Sequence, residues 1–274
     1  MQWIWRNIGH VYKLMRAPTT FIAFIIIASV SYYQFHDLTN AVILGLTVMF
    51  TASYGFALNE YFDYQKDLFI PEDHLIAKGV LSRKQVLIVS CSFLLLSLLL
   101  MLFIHPFQQL MNIILLIVLS FYSYINNRYG IIANALVAFC SGVGIVITLN
   151  KFEWSLISFS GLTFFLHIFG REIILDIHDY EADRNIGKTS FPILITISRS
   201  FIVAALFSIS CIVYSVFAGM YFEKWGYMLM MTLANIIFLS GLFYYRARMN
   251  EEAYRQFVMY SRIAFLLSLP AVLL

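Results

Sequence analysis

The stretch AVILGLTVMFTASYGFALNEYFDYQKD, residues 41–67, decides the fold. From Ala41 to Asn59 it carries no charge; then Glu60, Asp63 and Asp67 arrive together. A hydrocarbon core about 30 Å thick needs about 20 predominantly apolar residues per helical crossing. The stretch therefore reads as a helix that crosses a membrane and runs out into acids at one face. Asn59, Asp63 and Asp67 recur at spacings of four, which predicts one shared helical face.

The rest of the chain repeats the apolar part of that pattern. Of the 274 residues, 61% are hydrophobic and 12% charged, against about 25% charged in a soluble domain. Apolar blocks fall at 20–36, 41–61, 86–104, 108–125, 131–149, 155–175, 200–220, 226–245 and 257–273. That is room for about nine crossings and little else. The expected fold is an all-α polytopic transmembrane bundle, one integral membrane domain over 1–274 with no soluble domain and no disordered tail. Turns are expected at His36-Asp37, His105-Pro106, Asn126-Asn127, Asn150-Lys151 and Glu223-Lys224. Residues 1–16, with Trp3, Trp5, Arg6, Lys13 and Arg16, predict an interfacial amphipathic segment. Its basic residues imitate a signal peptide, but the many later blocks and the lack of a small-residue cleavage site favour a retained first helix. Cys91, Cys140 and Cys211 sit inside apolar blocks without CxxC spacing, so neither a disulfide framework nor a zinc site is expected.

The net charge is +3. With nine crossings and a cytoplasmic N-terminus, all of the 18 Lys and Arg residues except Lys151 and Lys224 fall on the cytoplasmic side, as the positive-inside rule requires. Basic residues dispersed in this way orient a membrane protein; they do not form a nucleic-acid patch. The expected location is the cell membrane, with the N-terminus inside and no obligate protein partner.

An internal repeat follows. Glu60-x-x-Asp63-Tyr64-x-x-Asp67 recurs 116 residues later as Asp176-x-x-Asp179-Tyr180-x-x-Asp183, and Ser82-Arg83 recurs as Ser198-Arg199 at the same offset. Four crossings separate the copies, at 59–67 and 176–183, so both point the same way; a parallel duplication places two helix ends at one shared site. Carboxylates beside a bilayer are costly and mark function. Several gathered in one place cannot all ionise without cations. Hard oxygen ligands at this density suit Mg2+, and Mg2+ held by one or two carboxylates usually also binds phosphate. Lys78 beside Gly79, and Lys188 in Gly187-Lys188-Thr189, are the best-placed cations for phosphate, ahead of Arg83, Lys84 and Arg184. Tyr124 and Arg128 pair at spacing four; a snorkelling interface pair and a site pair are equally open. Arg171-Glu172 is either an ion pair that orients the second motif or a ligand. His74, His167 and His178 share no metal-site spacing and are expected to be bystanders, with His178 the one placed to hydrogen-bond at the site. No GxSxG, P-loop or GxGxxG fingerprint is evident.

These residues resemble the UbiA-type intramembrane prenyltransferases. Asn59-Glu60-Tyr61-Phe62-Asp63-Tyr64-Gln65-Lys66-Asp67 is similar to their NDxxDxxxD motif, and Asp176, Asp179 and Asp183 match their DxxDxxxD motif. The run REIILDIHDYEADRNIGKTSFPI (171–193) resembles the family's RE…KDI.D.EGDR..G..TLP run, and Tyr124 with Arg128 resembles a Tyr-x-x-x-Lys pair on the fourth helix. The resemblance covers essentially the whole chain. There are departures: Glu60 stands for an Asp, His74-Leu75 for an Arg-Pro ahead of Gly79, and Leu175 for a Lys. Loss of that Arg either weakens activity or hands its grip on diphosphate to Lys78.

The resemblance implies an allylic prenyl diphosphate, a lipophilic acceptor with a ring or hydroxyl, and Mg2+ bridging both Asp clusters through the diphosphate. It also implies a central water-excluding cavity capped by cytoplasmic loops. Asp63, Asp67, Asp179 and Asp183 are expected to bind Mg2+, which makes Asp63 and Asp179 catalytic. Asp176 is expected to orient or deprotonate the acceptor. Asn59 supports the first cluster; Lys78, Arg128 and Lys188 contact diphosphate, with Tyr124 beside it. NEYFDY and REII..I.D resemble the branch that prenylates glycerol-phosphate lipids, while aromatic acceptors stay equally open; cyclisation of the prenyl cation on the same scaffold is a related alternative. A secondary transporter is the rival from another class; against it, the acids cluster at one membrane face rather than near the midplane.

Overall fold

The computed structural model describes residues 2–68, 74–126 and 128–273. Among the described residues the elements are all helical: α1 (Gln2–Leu14), α2 (Ala17–Phe35), α3 (Leu38–Phe62), α4 (Tyr64–Asp67), α5 (Arg83–Met101), α6 (Pro106–Ile125), α7 (Gly130–Val146), α8 (Leu156–His178), α9 (Tyr180–Asn185), α10 (Phe191–Ile195), α11 (Ile197–Tyr221), α12 (Trp225–Arg248) and α13 (Glu251–Leu273). Each of the nine apolar blocks finds one helix. Seven of these, α2, α3, α5, α6, α8, α11 and α12, are long and apolar enough to cross a membrane; α7 is apolar but shorter. Many large apolar side chains face outward, among them Leu95 and Leu99 on α5 and Val213 and Phe217 on α11. Apolar surface on that scale belongs against lipid. The expected turns fall between helices or, at His105-Pro106, on the first residue of α6; Asn127, and the side chains of Trp3, Trp5 and Arg6, lie outside the described residues.

Local chemistry sets the helix ends. Asp37 caps α3 by accepting from Asn40 N at 3.0 Å. Ser82 and Gln85 form a reciprocal capping box at α5, so the first orphan amides of that helix are satisfied by side chains. His105 caps α6, which Pro106 opens. In the second copy of the repeat the cap slips by two residues: Thr196, not Ser198, is the N-cap of α11.

The chain divides into two compact units: residues 1–128 with 147–150 and 182–188, and residues 129–146 with 151–181 and 189–274. In the first unit α3 is the central helix, packed against α2, α5 and α6. Tyr54, Ala57 and Leu58 of α3 meet Val86, Val89 and Phe93 of α5 in its core, and the loop residues Leu75 and Ile76 plug into the same cluster. A buried polar network tightens it: Thr51 donates to Asn112 Oδ1 at 2.7 Å, and Asn112 Nδ2 donates to Ser97 at 3.1 Å. In the second unit α8 is central, packed against α7, α10, α11 and α13. Small residues allow the closest approach, since a Cβ on Gly142 would lie 2.7 Å from the carbonyl oxygen of Gly161.

The repeat is visible inside each unit. α3 ends at Phe62 with Asp63 as its C-cap (φ −79°, ψ 0°), and α4 starts at Tyr64. α8 ends at His178 with Asp179 as its C-cap (φ −83°, ψ 8°), and α9 starts at Tyr180. A ψ near zero, against about −42° in a continuing helix, turns the chain at the same motif position in both copies. The expectation of one uninterrupted helical face through Asn59, Asp63 and Asp67 is thereby corrected. Asp63 sits at the break and Asp67 one turn beyond it, although Asp67 N still bonds Asp63 O at 2.9 Å.

Candidate active site

The first motif is built on the break after α3. Asp63 and Asp67 are 4% and 5% exposed. Asn59 Nδ2 donates to Asp63 Oδ2 at 2.6 Å, and Asn126 Nδ2, from the end of α6, donates to the same oxygen at 3.0 Å. Because the carboxylate takes the amide NH2 of Asn59, the orientation of that amide is fixed. Its Oδ1 is buried and accepts no hydrogen bond among the described residues. Glu60 leans the other way. Its Oε1 accepts from the backbone amides of Leu75 (2.6 Å) and Ile76 (3.3 Å), and its Oε2 lies 3.1 Å from His74 Nδ1. The same Nδ1 lies 2.9 Å from Asp67 Oδ2. Burial alone would lower the His74 pKa; hydrogen bonds and charge from Asp67 and Glu60 outweigh it and push it up to about 10. His74 is therefore part of the motif and not the bystander that its sequence position suggests.

Nearby cations are unequal. Arg83 stacks on the Tyr61 ring at 4.4 Å and bonds the Tyr61 carbonyl, so it packs against the motif's outer side. Lys78 is exposed in the turn that Gly79 closes at φ +70°. Residues 182–188 belong to the same unit, and there Lys188, 4% exposed, pairs with the fully buried Asp183 at 3.2 Å. Gly187, at φ +73°, makes the turn that returns Lys188 N to Asp183 O. Tyr124 is 70% exposed, with its ring edge-on to Phe62. α6 ends at Ile125, so Tyr124 and Arg128 do not share a helical face. Arg128 lies beyond the helix and is exposed.

The second motif is divided between the units, with Asp176 and Asp179 in one and Asp183 in the other. Asp176 is buried on α8, and Asn134 Nδ2 of α7 donates to its Oδ2 at 2.7 Å. His178 Nδ1 lies 3.0 Å from Asp179 Oδ1, its Nε2 lies 3.0 Å from Glu251 Oε2, and its ring stacks on Tyr254. Earlier on α8, before Asp176, Arg171 and Glu172 form an ion pair at 2.6 Å, one of the two roles their position left open. His167 is a packing residue, bonded to Asn235 inside the second unit.

Sequence reasoning missed Asn126 and Asn134, each a donor to a motif carboxylate. The available signal was a lone amide at the edge of an apolar block, where an unsatisfied polar group is costly.

The donor set fits divalent cations. Asp63 and Asp179 cap helix C-termini, where the carbonyl ends already carry negative partial charge. Adding carboxylates there, Asp63 buried and Asp179 partly exposed, is unfavourable unless a cation compensates. The orphaned Asn59 Oδ1 adds one more hard acceptor. What such an arrangement can do is hold an anionic ligand through metal ions at the end of an apolar helix.

Residues 18–269 match the UbiA prenyltransferase family. The chain is 28% identical over 231 residues to the digeranylgeranylglyceryl phosphate synthase of Thermococcus kodakarensis, covering 84% of this chain and 83% of the relative. It is 25% identical over 265 residues to the enzyme of the same name from Methanosphaera stadtmanae, covering 93% and 95%. Among solved structures, one of a digeranylgeranylglyceryl phosphate synthase superposes with a TM-score of 0.72 at 21% identity, covering 98% of each chain. A UbiA homologue from Archaeoglobus fulgidus bound to DMAPP and Mg2+ superposes with a TM-score of 0.69 at 15% identity, covering 96% of this chain and 98% of that one. With its helical membrane fold and its two acidic helix ends in register, the chain belongs to the UbiA prenyltransferase family.

Proposed function

We propose that this prenyltransferase moves a prenyl group from an allylic prenyl diphosphate to a hydroxyl of a glycerol-phosphate lipid. The observation that carries the reading is the repeated helix break, which ends α3 and α8 in an Asp capping residue at the same motif position. The relatives' name supports the acceptor, since two geranylgeranyl chains on one glyceryl phosphate is what such a transfer yields. The family match runs through both units, which supports treating them as one prenyltransferase domain. The positive-inside asymmetry supports a cytoplasmic N-terminus and a cytoplasmic active site in the cell membrane.

In this reading Asp63, Asp67, Asp179 and Asp183 hold Mg2+, the ion bound with DMAPP in the Archaeoglobus homologue. The ion supplies Lewis acidity to the leaving diphosphate. The chain's own residues do the rest. Asn59 and Asn126 fix the Asp63 carboxylate before substrate arrives, so little reorganisation is left for the reaction. Lys78 and Arg128, both accessible, contact diphosphate; Lys188 does so from its place on Asp183, with Tyr124 alongside. The allylic C–O bond breaks with its electron pair leaving on diphosphate. The acceptor oxygen then bonds the allylic carbon and gives up its proton, which Asp176, steadied by Asn134, takes. Apolar helix walls exclude the water that would otherwise quench the allylic cation.

Purified protein should release diphosphate from a prenyl diphosphate only when Mg2+ is present. Asp63→Ala or Asp179→Ala should abolish that release, and full turnover surviving both changes overturns the assignment. Mass spectrometry of products from competing glycerol-phosphate and aromatic acceptors decides the acceptor class.

A further inference from the structure

We propose that His74 is a nitrogen ligand in the first motif, so that Glu60, Asp67 and His74 form a mixed nitrogen–oxygen site for a divalent transition-metal ion such as Mn2+ or Zn2+. One donor atom from each of Glu60, Asp67 and His74 lies within 4.8 Å of the other two. His74 Nδ1 is 3.1 Å from Glu60 Oε2 and 2.9 Å from Asp67 Oδ2. Ligands around one ion with bonds of about 2.0–2.2 Å stand roughly 3 Å apart, so the nitrogen already stands at ligand spacing from both oxygens.

Each ligand is held from behind. Glu60 Oε1 is occupied by the backbone amides of Leu75 and Ile76, which leaves Oε2 as the oxygen turned to His74. Those amides belong to residues whose side chains are buried in the unit's core, so the loop that carries His74 is anchored at both levels. Asp67 is tied to Asp63 through its backbone. An independent feature points to a cation at the same motif: Asn59 Oδ1, one residue before Glu60, is buried and accepts no hydrogen bond among the described residues. Without an ion, the His74 N–H links the two carboxylates; with one, the ion takes the place of that proton. An imidazole beside two carboxylates shifts preference from Mg2+ towards borderline ions. The inference rests on Asp67 being a metal ligand in the proposed function, and narrows which ions that reading admits.

The full-length protein in detergent, loaded with Mn2+ and studied by pulsed electron paramagnetic resonance, tests it. The expected spectrum shows directly coordinated 14N. That coupling should vanish in His74→Gln and persist in His178→Gln, the control for the other histidine beside a motif Asp. His74→Gln should also lower the Mn2+:Mg2+ affinity ratio by about tenfold, or ~1.4 kcal/mol. Bound Mn2+ without nitrogen coupling in the unaltered protein overturns the inference and leaves the carboxylate reading standing. Coupling lost in His178→Gln instead of His74→Gln also overturns it. If no Mn2+ binds, with or without prenyl diphosphate, both readings fall. Because the unaltered protein gives the first answer, a variant that fails to fold does not shield the idea.

Discussion

Two asparagines and one arginine show how unevenly side chains around the acids matter. Asn126 donates to Asp63 Oδ2 and Asn134 to Asp176 Oδ2. A hydrogen bond to a charged group contributes about 1.5–3 kcal/mol. If that hold is needed equally in the transition state, Asn126→Ala should slow diphosphate release by about 10–100-fold, and Asn126→Asp, which sets a second carboxylate on the first, should slow it more. Steady-state release of diphosphate by purified variants measures this, and wild-type turnover in Asn126→Ala refutes the role. Arg83 makes the opposite case. Its guanidinium lies over Tyr61 and bonds that residue's carbonyl, an exposed contact worth about 0.5–1 kcal/mol. Arg83→Ala should leave turnover within about fivefold of the unaltered protein, although Arg83 comes only five residues after Lys78, which is proposed to grip diphosphate.

At the scale of elements, helix contacts are decided by where a Cβ has room. On α7 a Cβ at Gly142 would meet the Gly161 carbonyl oxygen of α8 at 2.7 Å, while one at Gly144 would meet nothing within 4 Å. Backbone cannot yield as a side chain can, so Gly142→Ala should cost about 1–3 kcal/mol. Gly144→Ala should be neutral or stabilising by up to about 1 kcal/mol. Thermal melts of the two variants in one detergent make the comparison, and equal melting temperatures would refute the close approach. The apolar blocks made these helices legible in the sequence, because twenty uncharged residues in a row leave few alternatives to a crossing. The breaks at Asp63 and Asp179 were not legible, since acids at spacings of three and four suit an unbroken helix equally well. His74 was hidden for another reason. It reaches Asp67 and Glu60 from a loop, and loop contacts obey no period that a sequence displays. Asn126 and Asn134 reach their acids from other helices, a pairing that only packing reveals.

For the whole molecule the shortest of the nine apolar-block helices is α7, and its two ends carry the orientation. Seventeen residues rise about 26 Å, a few ångströms short of a typical hydrocarbon core. The deficit is within what bilayer thinning and tilt accommodate, and Ile147, Thr148 and Leu149 extend the block as buried residues. The contacts of this extension say where it ends. Gln34, at the C-terminal end of α2, donates to Thr148 Oγ1 at 3.0 Å, and Gln108, at the N-terminal end of α6, donates to Asn150 Oδ1 at 3.2 Å. With a cytoplasmic N-terminus both of those helix ends lie at the outer face, so residues 148–150 do too, and α7 must cross. Three crossings, α5, α6 and α7, then separate the turn at Lys78 from the loop at Lys151. In a background with Cys91, Cys140 and Cys211 replaced by Ala, Lys78→Cys should react with a membrane-impermeant maleimide only from the cytoplasmic side, and Lys151→Cys only from the outside. Both positions labelling from one side would mean that α7 turns back, and would remove the basis for placing both acidic motifs on the cytoplasmic face.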